Sequence, residues 1–132
     1  MRIAIVQTNL TGDYRPRGEY NIQSFGLARA LSRRGCEVTV LTANPVLRAE
    51  DVRLPWNYRL EEMKGSFRAV YLPTVRVSMQ PVMPTLSREL ERLEPDVVQT
   101  DEDAYLNAVL AAAFCRRAGI PSVPWQGIYR FV

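Results

Sequence analysis

The chain has 132 residues, of which 47% are hydrophobic and 23% are charged, a composition typical of one globular domain. No apolar run approaches the ~20 residues that a helix needs to span a bilayer, and no secretory leader precedes the first strand-like run, so we expect a cytoplasmic protein. The net charge of +3 is dispersed, which argues against a nucleic-acid partner, and the lack of histidine excludes Ser-His-Asp, Cys-His and histidine-zinc chemistry within this chain.

Five short apolar runs predict β-strands. The first two are continuous rather than alternating, which is typical of parallel strands covered on both faces. The runs are Ile3 to Gln7, Val38 to Thr42, Ala69 to Leu72, Val97 to Thr100 and Ser122 to Trp125. Pro124 lies in the fifth run, where proline is tolerated at a sheet edge or beyond the last paired residue. An exposed fifth strand would also offer an edge for self-association.

Three segments between these runs predict helices. They extend from about Glu19 to Arg34, from about Pro84 to Pro95 and from about Glu102 to Ala118. Gly35 and Gly119 are placed to end the first and third helices. In the third helix, the residues predicted to face inward are Leu106, Val109, Leu110 and Ala113.

The alternation of strands and helices predicts an α/β fold. We expect a three-layer, Rossmann-like, doubly wound parallel sheet with the strand order 3-2-1-4-5. Residues 43–68 are the least regular stretch, so we expect loops there, with room for one short helix. In such a sheet, ligands bind outside the carboxyl ends of the strands, here where the order reverses between strands 1 and 4.

The loop after the first strand lacks the fingerprints of two common nucleotide sites. It contains no G-x-G-x-x-G, and the second strand ends in Thr42-Ala-Asn44 rather than in an acidic residue, which argues against a dinucleotide site. No phosphate loop of the G-x-x-x-x-G-K-[ST] type occurs. Gly18, directly before a helix, could still expose backbone N–H groups to a phosphate, or it could serve only the turn.

Other residues near the predicted crevice have two interpretations each. Arg15 and Arg17 could bind an anionic acceptor or phosphate, or belong to a solvated loop. Tyr129 could stack on a sugar ring or pack against the core. The run from Val77 to Met83 could contact a lipid-linked acceptor or the bilayer, or be buried under the sheet. The two cysteines fit no metal spacing, and we expect no metal site and buried or half-buried thiols.

Several segments match, in order and spacing, the pattern of a known enzyme family. The segment from Gly18 to Leu31 corresponds to a glycine loop followed by a helix in that family. The segment from Arg33 to Pro45 corresponds to the family's typical sequence ALAKRG followed by HEVTVLT. Glu94 to Asp101 is similar to KPDVIHAH, while Ala118 to Pro121 and Gln126 to Gly127 are similar to LGIPVVVTVHG. Over nearly its whole length, the chain therefore resembles family 4 glycosyltransferases of the GT-B fold.

The resemblance implies a retaining transferase that moves a sugar from a nucleotide-diphosphate sugar to an acceptor hydroxyl. Residues 1–132 would be a single N-terminal, acceptor-side domain, shortened and inactive by itself, because the family binds the donor mainly through a C-terminal domain. The resemblance implies no cofactor besides the donor substrate. The partners would be a sugar or lipid-linked acceptor, the latter at the inner membrane face, and a donor-binding domain or subunit. The alternatives are another Rossmann-like nucleotide-sugar enzyme and a stand-alone module that docks a separate catalytic subunit.

The family's site residues carry over to a few positions. Gly18 takes the first glycine position of the loop that approaches the donor phosphates, and Glu19 replaces the second glycine. Family histidines fall at Asp101 and Gln126; Asp101 could act as a general base or cap the third helix. Gln126, with Gly127 beside it, could form hydrogen bonds with a sugar hydroxyl.

Overall fold

A computed structural model of the protein describes residues 1–8, 19–43, 59–78, 80–100 and 105–124, and for residues 19–23 it describes the backbone alone. Strands and helices alternate along these residues. The elements are β1 (Arg2–Gln7), α1 (Glu19–Arg33), β2 (Glu37–Ala43), β3 (Leu60–Lys64), β4 (Phe67–Leu72), β5 (Val75–Val77), β6 (Gln80–Val82), α2 (Leu86–Leu93), β7 (Val97–Thr100), α3 (Leu106–Ala118) and β8 (Ser122–Pro124).

The main sheet has the order β3-β4-β2-β1-β7-β8, and all neighbours are parallel except β3 and β4. The α/β, Rossmann-like prediction is therefore confirmed. The five predicted strands are β1, β2, β4, β7 and β8, in the predicted relative order. Pro124 pairs with Thr100 in β8, a three-residue strand that borders only β7 among the described residues.

The strand order differs from the prediction by the antiparallel edge strand β3. Its sequence, Leu-Glu-Glu-Met-Lys, carries three charges and has no continuous apolar run, so the region 43–68 was predicted to be irregular. The structure instead alternates exposed and half-buried residues along β3, as an edge strand with one solvated face does. Gly65, with φ +73°, makes the tight turn that brings Lys64 opposite Phe67. Residues 44–58 lie outside the described part.

Both faces of the sheet are covered by apolar packing, as the continuous strands β1 and β2 predict. On one face α1 packs over Ile3, Ile5, Val40 and Phe67, and the Phe25 and Phe67 rings lie 5.3 Å apart. On the other face α2 and α3 cover a second cluster. Its members include Ala4, Val6, Leu41, Val70, Leu86, Leu90, Val98 and Ala111.

The predicted inward face of α3 was wrong at three of its four positions; Leu110 does pack against the core. Val109 is 55% exposed, and Leu106 and Ala113 are exposed as well, while Leu110 is half-buried. The buried residues of α3 are Asn107, Ala108, Ala111 and Cys115. Small side chains at Ala108 and Ala111 allow the helix backbone to approach the sheet closely, so these two alanines are buried while Val109 is exposed. The predicted start of α3 at Glu102 lies outside the described residues; the described helix begins at Leu106.

The strands β5 (Val75–Val77) and β6 (Gln80–Val82) pair as a small antiparallel hairpin that the sequence did not predict. Val82 and Met83 are buried, which favours the buried interpretation for the end of the Val77 to Met83 run, while Val77 is exposed. Both cysteines are free thiols, with Cys36 half-buried and Cys115 buried, as predicted. None of the described helices is long and apolar enough to cross a membrane.

Candidate functional site at the carboxyl edge of the sheet

The carboxyl ends of the parallel strands meet at one edge of the sheet, where an α/β fold binds its ligands. The described residues at or next to this edge include a set of uncharged polar side chains. They are Gln7 at the end of β1, Thr8 directly after it, Thr42 in β2, Thr74 after β4 and Thr100 in β7. We call this region the carboxyl edge. The helices α1 and α3 both begin after strands that end there.

Asn107 connects three elements at the carboxyl edge. Its side chain is fully buried, and its Nδ2 donates to Thr8 Oγ1 at 3.1 Å and to the Pro81 carbonyl oxygen at 2.9 Å. Its Oδ1 accepts from the Met83 backbone N–H at 2.9 Å. The side-chain amide of Gln80 makes a further contact nearby, because its Oε1 accepts a hydrogen bond from the Leu106 backbone N–H at 3.0 Å. The first turn of α3 is thereby fixed to the end of β1 and to the β5–β6 hairpin.

Polar groups also lie on the α1 side of the carboxyl edge. Ser24 Oγ donates to Gln7 Oε1, which links the first half of α1 to the end of β1. Gln7 is paired in register with Thr42 of β2, which in turn is paired with Tyr71 of β4. Thr42 is fully buried and its hydroxyl has no hydrogen-bond partner in the part of the chain that the structure describes. An unpaired buried hydroxyl lowers the stability of the fold, so Thr42 Oγ1 carries a cost in free energy at this edge.

The site residues predicted from the sequence lie outside the described residues. These are Arg15, Arg17, Gly18, Asp101, Gln126, Gly127 and Tyr129. Glu19 is the first residue of α1, and its side chain is likewise outside the description. The nearest described residues, Thr8, Thr100 and Pro124, all lie at the carboxyl ends of their strands. The roles of the predicted site residues therefore stay predictions.

The described polar groups are suited to hydrogen bonding rather than to metal binding. No group of three or more histidine, cysteine, aspartate or glutamate side chains could hold a metal ion within the described ranges. Amides and hydroxyls both donate and accept, which matches the hydroxyl groups of a sugar. The sequence analysis missed Thr8, Thr42 and Asn107 as site residues. One signal was available, because Asn107 is the lone polar residue in the apolar run from Leu106 to Phe114.

Comparison with models of protein families shows which family the chain belongs to. A sequence model of the glycosyl transferase 4-like domain matches residues 20–124. The chain belongs to this glycosyl transferase 4-like family. The match extends from the second residue of α1 to the last residue of β8, so it includes the elements that form both flanks of the carboxyl edge. It supports a glycosyltransferase-type function for this domain and confirms the resemblance noted in the sequence. No curated protein matches the chain.

Proposed function

We propose that this glycosyl transferase 4-like domain is the acceptor-side domain of a retaining glycosyltransferase, which transfers a sugar from a nucleotide-diphosphate sugar to an acceptor hydroxyl. The observation that carries the proposal is the family match over a sheet whose carboxyl edge holds uncharged hydrogen-bonding groups. Gln7, half-buried at the end of β1, would contact acceptor hydroxyls, and Asn107 would fix the hairpin to α3.

Two features support an acceptor role rather than a donor role. Glu19 opens α1, and its negative charge is favourable at a helix N-terminus but repels a pyrophosphate from that position. The amides and hydroxyls at the carboxyl edge carry no positive charge that would neutralise a donor phosphate. We therefore propose that most donor contacts belong to a second domain or subunit, that Asp101 serves as the general base, and that the chain is inactive without that partner.

The acceptor is proposed to be a sugar or a lipid-linked sugar, handled in the cytoplasm. Val77, exposed on the β5–β6 hairpin, supports the lipid-linked version because the hairpin is fixed to the carboxyl edge through Asn107. Sedimentation with anionic lipid vesicles tests it. The Val77→Asp variant should bind vesicles less than the parent chain, whereas equal binding would remove the membrane contact from the proposal.

Titration of the ¹⁵N-labelled chain with methyl glucopyranoside, methyl mannopyranoside and a uridine-diphosphate sugar tests the acceptor role. We expect the glycosides to shift the backbone signals of Gln7, Ser24 and Thr42, and the nucleotide sugar to cause weak or undetectable shifts. Gln7→Leu keeps the approximate side-chain size and removes the half-buried amide at the end of β1, so it should abolish the glycoside shifts. Gln99→Leu, which makes the same change at a half-buried position in the neighbouring strand β7, is the matched control. Micromolar binding of the nucleotide sugar would overturn the assignment.

A further inference from the structure

A second polar region lies away from the carboxyl edge, between α2 and the amino halves of the strands. A cavity of about 550 Å³ opens there, and its charged lining comprises four arginines and three glutamates. We call it the arginine cavity. Its arginines are Arg2, Arg59, Arg68 and Arg92. Arg2 begins β1 and Thr8 follows its last residue, so at 3.3 Å per residue the two ends are about 20 Å apart.

One arginine of the cavity is held in a rigid pair. Glu89 of α2 has a side chain only 5% exposed, and its two oxygens accept from Arg59 Nε at 2.7 Å and Nη2 at 3.2 Å. Arg59 Nη1 also donates to Glu61 at 3.1 Å. The hydrogen bond to Glu89 raises the pKa of Arg59 above its usual value. The bidentate pair fixes the entry to β3 against α2 and satisfies the buried carboxylate.

The other three guanidinium groups retain unused donors. Each guanidinium carries five N–H groups. Arg92, with 62% of its side chain exposed, donates from Nη1 to Glu89, and Arg2 donates from Nη1 to the Leu93 carbonyl oxygen and to Glu94. Arg68 Nε forms an ion pair with Glu61 Oε1 at 2.9 Å, and this buried nitrogen has no hydrogen-bond partner among the described residues.

The lining carries four positive charges against three negative ones, and Glu94, outside the lining, forms an ion pair with Arg2. Glu61 forms ion pairs with Arg59 and Arg68, Glu89 forms ion pairs with Arg59 and Arg92, and the third acid, Glu37, is exposed at the start of β2. Arg2, Arg68 and Arg92 come from β1, β4 and α2, so they approach the cavity from three elements of the fold. Planar forks of N–H donors match the oxygens of a phosphate group, and the volume lies in the range of small-molecule sites.

We infer that the arginine cavity is a binding site for a small phosphate-bearing molecule, separate from the carboxyl edge. The guanidinium groups of Arg2, Arg68 and Arg92 donate hydrogen bonds to the phosphate oxygens. The Arg59–Glu89 pair fixes the start of β3 against α2 and so stabilises the lining of the cavity. Because the contacts are between charged groups near the surface, binding weakens as salt is added.

The test is a titration of the ¹⁵N-labelled chain with pyrophosphate, observing backbone and arginine Nε–Hε signals. Saturable shifts at Arg2, Arg68 and Arg92, with a Kd between about 0.1 and 1 mM, are expected. Arg92→Gln, at an exposed position, should raise the Kd about tenfold by removing charge-assisted hydrogen bonds. Arg68→Gln is the second variant. Arg116→Gln, which makes the same charge change at the exposed end of α3, is the matched control and should bind as the parent chain does.

Several results would overturn the inference. An equal loss of affinity in Arg116→Gln would show unspecific attraction to net charge. Shifts confined to Thr8, Thr42 and Thr100 would place the anion at the carboxyl edge instead. Tighter binding of citrate than of pyrophosphate would show that the cavity prefers carboxylates to phosphates. A titration that does not saturate at millimolar pyrophosphate would show that the cavity is not a specific anion site.

Discussion

Replacement of Asn107 by alanine is the sharpest test of how the carboxyl edge is held together. The change removes the partners of the Met83 N–H and the Pro81 carbonyl oxygen, each 2.9 Å from the Asn107 amide. A buried polar group left without its partner costs about 1–3 kcal/mol, so the two groups together lower the free energy of unfolding by about 4 kcal/mol. For a chain of this size, that corresponds to a fall in Tm of about 15 °C.

The aspartate variant adds a pH signature to the same test. In Asn107→Asp the introduced carboxyl faces the Pro81 carbonyl oxygen, so burial and repulsion raise its pKa in the folded state above about 3.9, the value in unfolded chains. Above the pKa of the unfolded state, the carboxyl ionises in the unfolded chain while it stays protonated in the folded one. This difference lowers the free energy of unfolding as the pH rises. The deficit relative to the parent chain should therefore be small near pH 4 and grow by up to about 1.4 kcal/mol per pH unit above it.

Urea unfolding followed by circular dichroism measures both effects, and amide hydrogen exchange at Met83 locates them. Val109→Ala, on the exposed face of the same helix, is the control and should change stability by less than about 0.5 kcal/mol. An Asn107→Ala variant within about 1 kcal/mol of the parent chain, or an Asn107→Asp deficit that does not vary with pH, would refute the view that this amide fixes the hairpin to α3.

Three further predictions concern the core and its titrating groups. Phe67→Ala should destabilise the chain by about 3–5 kcal/mol in urea unfolding, because the ring is fully buried against Phe25; a loss below 1 kcal/mol would contradict that packing. Iodoacetamide should modify Cys36 in the folded chain and Cys115 only after unfolding, since Cys115 is 2% exposed and burial raises the pKa of its thiol; equal rates would count against this. A hydrogen bond to Glu62 raises the pKa of Lys64 above 10.5, so the stability difference between the parent chain and Lys64→Met should be constant below that pH and shrink above it; a decline already near neutral pH would contradict the pair.

The parallel part of the fold could be predicted because its strands are buried on both faces. Continuous runs such as Ile3 to Gln7 carry that signal without any tertiary information. β3 could not be found in this way, since its charged sequence becomes a strand only by pairing with β4 across the Gly65 turn. The inward face of α3 was misjudged for a related reason. Hydrophobicity favours Val109, whereas close packing against a sheet favours Ala111.

The candidate site was less accessible to sequence reasoning than the fold. Thr8 and Thr42 follow or close apolar strands, where threonine is an ordinary β-former, so nothing in the sequence distinguishes them from core positions. The burial and the unpaired state of Thr42 Oγ1 emerge only when three strands are aligned in register. The arginine cavity is similarly a product of topology, because Arg2, Arg68 and Arg92 are far apart in sequence.

The two polar regions of this domain differ in chemistry, and the difference bears on mechanism. The polar groups that the structure describes at the carboxyl edge are amides and hydroxyls, which orient a sugar but do not accept its proton at neutral pH. The charged groups Arg59 and Glu89 lie in the arginine cavity, paired with each other and so not free to exchange protons. In the proposed transferase, the proton acceptor would therefore come from a carboxylate outside the described residues, such as Asp101, from the donor-side partner, or from the donor substrate itself. The described edge would then contribute by fixing the geometry of the acceptor hydroxyl, a contribution that depends on how rigidly Asn107 holds the hairpin.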